Sequence, residues 1–398
     1  MKRASRAVHA GRGIIDVNVD VNDRAAGMSG VPLAPDISPA AVQVYTDLDE
    51  YDAVASGEKP GHYYGRNSNA NRTMLEEAVA ELEGAEAGVA TGSGMAALHL
   101  AILALAPKPV TILAGRELYG GTLALLRQDL EPAGYESVLV DIADLESVRR
   151  GIDGAGLVLL ETITNPLCRV PDLQAIIELA RRSNVPVLVD NTFASPVFCR
   201  PMELGATVVM HSVTKYLGGH SDLVAGVIVG GSSLMTAART KSVRTGTPLG
   251  PFESWLALRG MRTLDVRMRR HSDNALTLAR AMRSMPGVAK VHHPLLEESP
   301  SYPVASRLLA EGSGGMMAFD LEGGRAAVQS MMSRFQLVAF AASLGGVETT
   351  ISYPEITSHR GLTPEERALL GVGPGTVRVS VGIEAPEDIV GDFAQALA

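Results

Sequence analysis

The sequence predicts an α/β protein: a large domain on a mostly parallel sheet, followed by a smaller α+β C-terminal domain. Three observations predict it. From about residue 72 to 260, short β-branched runs alternate with helix-like stretches, the pattern of a parallel sheet covered on both faces. After Gly260 the pattern changes to a long helical tract rich in Arg and Leu, Met261 to Met285, leading to isolated strand-like runs. The chain of 398 residues is 46% hydrophobic, enough for a sizeable core and for two or three domains of roughly 100–200 residues each.

Residues 1–62 read as an irregular N-terminal arm with scattered Gly, Pro and Asp, in which only Ser38 to Ala55 hints at helix. An arm of this length rarely lies free on a compact domain, so it is expected to contact a neighbouring subunit. The large domain is assigned to 63–260. Arg72 to Gly84 has helical periodicity and ends at a glycine suited to a C-cap. The strands are Val110 to Leu113, Ser137 to Val140, Leu157 to Leu160, Val185 to Val189, Thr207 to Met210 and Val224 to Val229. Asp172 to Ser183 reads as one of the intervening helices. The last two strands are close in sequence, which predicts an antiparallel neighbour there. The C-terminal domain is assigned to 261–398, with Phe319 to Leu321 and Val377 to Val381 as strands.

Charge and cysteine content narrow the function classes. A net charge of −9 and a pI near 5.5 argue against a nucleic-acid partner, which needs clustered Lys and Arg to displace counterions. No stretch approaches the roughly 20 apolar residues of a membrane helix, and the basic first twenty residues lack the apolar core of a signal peptide. Cys168 and Cys199 sit in no metal or disulfide motif, so no metal is expected and a reducing cytoplasm suits the chain.

Four features converge on one kind of cofactor. Lys215 follows an apolar strand and stands between Ser212 and Thr214, hydroxyls suited to a phosphate monoester whose aldehyde the lysine captures as a Schiff base. Asp190 ends another apolar strand, where a carboxylate can hold a protonated pyridine nitrogen. Thr91-Gly92-Ser93-Gly94-Met95 opens a strong helix former run to Leu105, and glycine-rich helix starts bind phosphate through unpaired N–H groups. Arg378 lies in an alternating strand, where its fork can clamp a substrate carboxylate. Taken singly, each has a plainer reading: a solvated lysine, a capping aspartate, an ordinary tight turn, an outward arginine.

In order along the chain, these segments resemble the Cys/Met-metabolism family of pyridoxal 5'-phosphate enzymes, fold type I, which includes cystathionine γ-synthase, cystathionine γ-lyase and methionine γ-lyase. The resemblance runs from about residue 60 to the end. It is most specific at His211 to Asp222 (HSVTKYLGGHSD), Val189 to Phe193 (VDNTF) and Val377 to Glu384 (VRVSVGIE). Leu118 to Thr122, Glu161 to Pro166, Pro251 to Leu264, Ser343 to Gly346 and Ala7 to Gly11 also match. The resemblance implies that Lys215 holds pyridoxal 5'-phosphate and shuttles protons, that Asp190 pairs with the ring nitrogen, and that Tyr119 stacks on the ring. Gly94, Met95, Ser212 and Thr214 would cradle the phosphate. Tyr64 and Arg66 would reach the cofactor of a neighbouring subunit, with Tyr64 or Tyr119 protonating the leaving group. Asn165 would face the cofactor hydroxyl, and Arg378 with the backbone near Ser343 would bind the carboxylate of a small amino-acid substrate. A homotetramer of two catalytic dimers is implied as well.

Three departures bear on the substrate. Asn69-Ala70-Asn71 stands where the family has Asn-Pro-Thr, which predicts a looser or reshaped loop. Ala342 replaces the Glu typical of cystathionine-using γ-enzymes. Gly121 and Ser242-Val243 replace the Cys and the Lys-Asp pair typical of methionine γ-lyases. The expected activity is therefore γ-elimination from a γ-substituted L-amino acid carrying a thioether, acyloxy or halide group. γ-Replacement by a synthase, transamination, and a non-catalytic cofactor-binding role are the alternatives.

Overall fold

The structure, a computed structural model, describes residues 2–10 and 33–398. Much of the expected arm, and Gly11 of the Ala7 to Gly11 match, lie outside the described residues.

Seven strands form the larger sheet: β1 (Ala87–Thr91), β2 (Thr111–Gly115), β3 (Glu136–Val140), β4 (Leu157–Glu161), β5 (Val187–Asp190), β6 (Val208–Ser212) and β7 (Gly226–Gly230). Their order is β1-β7-β6-β5-β4-β2-β3. Every pairing from β6 through β3 is parallel, and β7 runs antiparallel to both β6 and β1. β4 and β7 are buried along their whole length, as expected of strands sandwiched between helices. β1 escapes the sequence reading because its five residues, Ala-Gly-Val-Ala-Thr, carry little β-branched signal. Glu76 also holds this strand, accepting from the Ala90 N–H at 2.9 Å.

The helices start and stop where local chemistry directs. Asn69 caps Ala70–Glu83 by accepting from the Asn71 and Arg72 amides, and Gly84 ends it in the left-handed region at φ +76°. The helix thus begins two residues before the expected start. Gly94–Leu105 is capped by Ser93, which accepts from the Ala96 amide. Leu173–Arg182 begins at the Asp172 cap.

Three readings are corrected by the structure. Within Ser38 to Ala55, helix forms only from Leu48, in Leu48–Ser56. The stretch before it pairs instead with residues 63–65: Gln43 donates to the Tyr63 carbonyl and Gly65 to the Ala41 carbonyl. The β-branched Val42 and Val44 favour that extended form. The expected Met261 to Met285 helix is Leu264–Met282, shorter at both ends, and a break at Arg262–Thr263 separates it from the preceding helix Pro251–Met261. Arg267 draws the two together, donating to the Gly260 and Tyr216 carbonyls, so tertiary contacts override propensity there. The Asn69-Ala70-Asn71 loop is pinned rather than loose. Asn71 accepts from the Ser38 amide and donates to the Asp36 carbonyl, and Asn69 donates to the Ser38 carbonyl.

The second sheet is built from β8 (Val288–His292), β9 (Met316–Leu321), β10 (Ala339–Phe340), β11 (Thr350–Ser352) and β12 (Thr376–Ser380), in the order β10-β11-β12-β9-β8. Its core includes Phe319, Val377, Val379 and Phe393, all fully buried. Deleting one such aromatic side chain costs about 3–5 kcal/mol. Among the described residues no helix is long and apolar enough to cross a membrane. The fold is α/β with a mostly parallel large sheet and a smaller second sheet. The C-terminal ends of β4, β5 and β6 open toward the β12 side, which is where ligands bind in such sheets.

Candidate active site

A cavity of about 510 Å³ lies between the two sheets. The larger sheet contributes Glu161 from the end of β4, Asp190 from β5, and Met210 and Ser212 from β6. The loop after β6 adds Thr214 and Lys215. The second sheet contributes Arg378 from β12, with Ala342, Ser343 and Leu344 on a nearby loop. Of the residues singled out in the sequence, Gly94, Met95, Tyr119, Asn165, Asp190, Ser212, Thr214, Lys215, Ser343 and Arg378 line this one cavity. Tyr64 and Arg66 do not: Arg66 stacks over the Tyr64 ring at 5.3 Å, on an exposed part of the same chain.

Lys215 is held at the centre. Its Nζ donates to Ser343 Oγ at 2.5 Å. Burial and the Arg378 charge hold its amine down at about 8, although Asp190 opposes them. An amine so placed is neutral and nucleophilic near physiological pH far more often than an ordinary lysine. Asp190 is pushed upward by burial, against which Thr192 works by donating both its amide and its hydroxyl to Oδ1, at 3.0 and 2.5 Å.

The opposite wall is built on Arg378, which is 4% exposed. Its Nη1 donates to Asn165 Oδ1 at 3.0 Å and its Nη2 to the Ser343 carbonyl at 3.1 Å. Its Nε is buried without a partner, so the fork keeps donor capacity for an anion. Ser343 has φ +89°, a left-handed conformation that is costly for a residue with a side chain. That geometry lets one residue present its hydroxyl to Lys215 and its carbonyl to Arg378.

Between the walls, the N-terminus of the Gly94–Leu105 helix meets Ser212. A Cβ on Gly94 would fall 2.8 Å from Ser212 Oγ, so only glycine allows this approach. The first amides of a helix have no partner within it, and here Ser93 takes only that of Ala96. Gly94 and Met95 therefore present N–H groups beside the Ser212 hydroxyl, a donor set that fits a phosphate. With an amine for an aldehyde and a carboxylate for a pyridine nitrogen, the residues fit pyridoxal 5'-phosphate.

Some lining residues carried no separate signal in the sequence. Glu161 is 6% exposed, accepts from the Tyr119 amide at 2.7 Å, and is pushed well above its ordinary range by burial and by Asp190 alongside it. Ser358 reaches the cavity from a distant turn and bonds the fully buried His359 at 2.9 Å. Burial, then the Arg378 charge, lowers that imidazole to about 4, so it stands neutral behind the wall. Only the fold brings these residues to the site.

A lysine, an aspartate, a phosphate cradle and an arginine clamp in one cavity define a pyridoxal-phosphate enzyme acting on amino acids. The chain belongs to the family described as Cys/Met metabolism PLP-dependent enzyme, which it matches over residues 27–398. It is 37% identical to the L-methionine gamma-lyase of Pseudomonas putida over 99% of this chain and 96% of that protein. It is 38% identical to the cystathionine gamma-lyase of Bacillus subtilis (strain 168), over 90% of this chain and 94% of that one. Among solved structures it resembles cystathionine gamma synthase from Xanthomonas oryzae pv. oryzae, with a TM-score of 0.90 and 35% identity over 100% of this chain and 98% of that chain.

Proposed function

We propose that the protein removes the γ-substituent of an L-amino acid by γ-elimination, releasing it with a proton and leaving a 2-oxo acid and ammonia after hydrolysis. The observation that carries this reading is the pairing of Lys215 and Arg378 through Ser343. A carboxylate clamped by Arg378 brings the substrate's Cα within reach of the lysine. Bound in the cavity, pyridoxal 5'-phosphate supplies an electron sink that makes protons at Cα and Cβ removable. Lys215 Nζ, held near pKa 8, takes the Cα proton and carries protons between carbons. Tyr119, 43% exposed at the cavity edge, or Tyr64 from a neighbouring subunit, delivers a proton to the departing group.

The lining also speaks to substrate class. Apart from Lys215, Arg378, Asp190 and Glu161, no charged side chain among the described residues lines the cavity. A neutral thioether or acyloxy group suits it better than a substituent ending in a second ammonium and carboxylate, whose desolvation nothing here offsets. The likeness to methionine and cystathionine gamma-lyases supports elimination. The likeness to a cystathionine gamma synthase supports γ-replacement as the second reading. A panel of γ- and β-substituted amino acids, each with and without an added thiol, decides between them. Release of 2-oxo acid and ammonia in both conditions supports elimination; a new thioether amino acid formed in preference to the 2-oxo acid supports replacement.

The proposed assembly is a homotetramer of two catalytic dimers in a reducing cytoplasm. Tyr64 and Arg66 stand away from the cavity of their own chain, and Val42, Val44 and Leu48 nearby are 64%, 92% and 87% exposed. Both cysteines are free and buried. Light scattering gives the mass. Mixing Tyr64→Phe with Lys215→Ala chains should restore activity if Tyr64 serves the neighbour's site, and should restore none if it does not.

A further inference from the structure

Beneath the cavity, on the far face of the larger sheet, lies a polar cluster that the proposed reaction does not use. Along the three central strands, residues alternate between the faces. Glu161, Asp190 and Ser212 line the cavity. Their neighbours Thr162, Asn191 and His211 are 0%, 0% and 1% exposed. Asn191 and His211 converge on Glu83, the last residue of the Ala70–Glu83 helix, itself 0% exposed, and Thr162 joins them through Asn191. Glu83 Oε1 accepts from Asn191 Nδ2 at 2.8 Å and lies 2.7 Å from His211 Nε2. Asn191 Oδ1 accepts from the Thr162 hydroxyl at 2.8 Å, and Asn191 Nδ2 also donates to the Cys199 carbonyl at 2.9 Å.

Stability alone does not account for this arrangement. Glu83 Oε2 and His211 Nδ1 are buried with no hydrogen-bond partner. Leaving such groups unsatisfied is costly, and an apolar helix end would bury more cheaply. The cluster sits where the ladder of the parallel strands ends, so it is the cross-tie that holds the ends of β4, β5 and β6 level. The backbone joins tie to cavity directly: Thr162 N–H donates to the Asp190 carbonyl at 3.0 Å and Asn191 N–H to the Met210 carbonyl at 2.9 Å. The Ser212 amide donates to the hydroxyl of Thr192, the residue that grips Asp190.

We infer that Glu83 is a positioning residue, which through Asn191, His211 and Thr162 sets the height of Asp190 and Ser212 against the cofactor. The inference rests on the reading of Asp190 as the partner of the cofactor ring. It separates the two walls, because Arg378 and Ser343 are not part of the tie.

The test uses the cofactor-loaded enzyme and the variants Glu83→Ala, Glu83→Gln, Thr162→Val and, as control, Asp190→Asn. Four quantities are read per folded site: kcat, KM, the pH midpoint of the lysine–cofactor absorbance, and the rate of cofactor loss on dilution. Displacing reacting groups by a fraction of an ångström costs on the order of tenfold in rate. Glu83→Ala should therefore lower kcat about tenfold, shift the absorbance midpoint and speed cofactor loss, with KM within about twofold. Glu83→Gln, which keeps a carbonyl acceptor, should recover most of that loss. Thr162→Val, which removes only the outermost bond, should change kcat about threefold in the same sense; it decides the matter if Glu83→Ala does not fold. Wild-type values of all four quantities in Thr162→Val and in any folded Glu83 variant, with only a lower unfolding temperature, overturn the inference. If Asp190→Asn moves the midpoint and kcat while the tie variants move neither, the inference alone fails. If Asp190→Asn moves neither, the reading of Asp190 fails and the inference with it.

Discussion

The two walls of the cavity are built by opposite means. On the larger-sheet side, Asp190 and Ser212 stand at the ends of buried parallel strands and Lys215 follows on the next turn. Their positions are over-determined by ladder hydrogen bonds and by a helix N-terminus at van der Waals distance. On the second-sheet side, one strand supplies Arg378, but the rest is loop: exposed Ala342, Ser343 at φ +89°, and the turn carrying Ser358. Rigid strand ends suit a cofactor that every turnover uses identically. Loops suit the contacts that distinguish one substrate from another, since they change without disturbing a sheet.

The largest effect should come from the rigid wall. Lys215→Ala should lower turnover by about 10²–10⁴-fold and remove the absorbance of the lysine–cofactor linkage. An unchanged spectrum in cofactor-loaded protein would take Lys215 out of the site. Next, on the other wall, Arg378→Ala should raise KM about 100-fold while cofactor retention changes little, the price in binding of a two-pronged charged hydrogen bond. Arg378→Lys should rescue little of it, because an ammonium cannot reproduce the fork. Equal small effects on KM and retention would place the arginine elsewhere.

A pH experiment couples the walls. Only the neutral amine attacks an aldehyde, so cofactor-free protein should take up pyridoxal 5'-phosphate faster as pH rises, levelling above about 8. Burial and Arg378 lower that amine; removing the arginine's charge by Arg378→Ala should move the midpoint upward, so uptake at neutral pH slows. A midpoint that stays put would show the walls to be electrically independent, and one that falls would overturn the assigned direction of their coupling. Gly94→Ala should weaken cofactor retention about tenfold, because its Cβ would press on Ser212 Oγ at 2.8 Å, and leave KM for the amino acid near wild type. The smallest effect belongs to the loop. Ala342→Glu should shift the ratio of kcat/KM values about tenfold toward substrates with a distal ammonium, read by competition between the two classes.

The contrast between the walls also explains what was legible beforehand. Most strands were readable because burial on both faces demands continuous apolar runs. β1 was not, since pairing with β7 rather than its own residues makes it a strand. The helix start at Gly94 was readable from its glycine-rich turn and the helix-forming run that follows. The break at Arg262–Thr263 was not, because the cause is Arg267 reaching carbonyls on two other segments. Motifs led to Lys215, Asp190 and Arg378, whereas Glu161, His359 and Glu83 looked like ordinary polar residues. Glu161 and Glu83 acquire meaning only through partners between 42 and 128 residues away, and His359 only through burial that no local pattern announces.

By itself, then, the sequence determined the α/β class, the family and the cofactor chemistry, because those depend on periodicity and on short motifs whose residues act where they stand. Only the tertiary structure decided that Lys215 and Arg378 meet through one strained serine. It alone set two carboxylates side by side under the cavity, and joined three strand ends in one hydrogen-bonded chain that runs through Glu83. Distances between segments far apart in the chain follow from packing, and packing is a property of the whole fold.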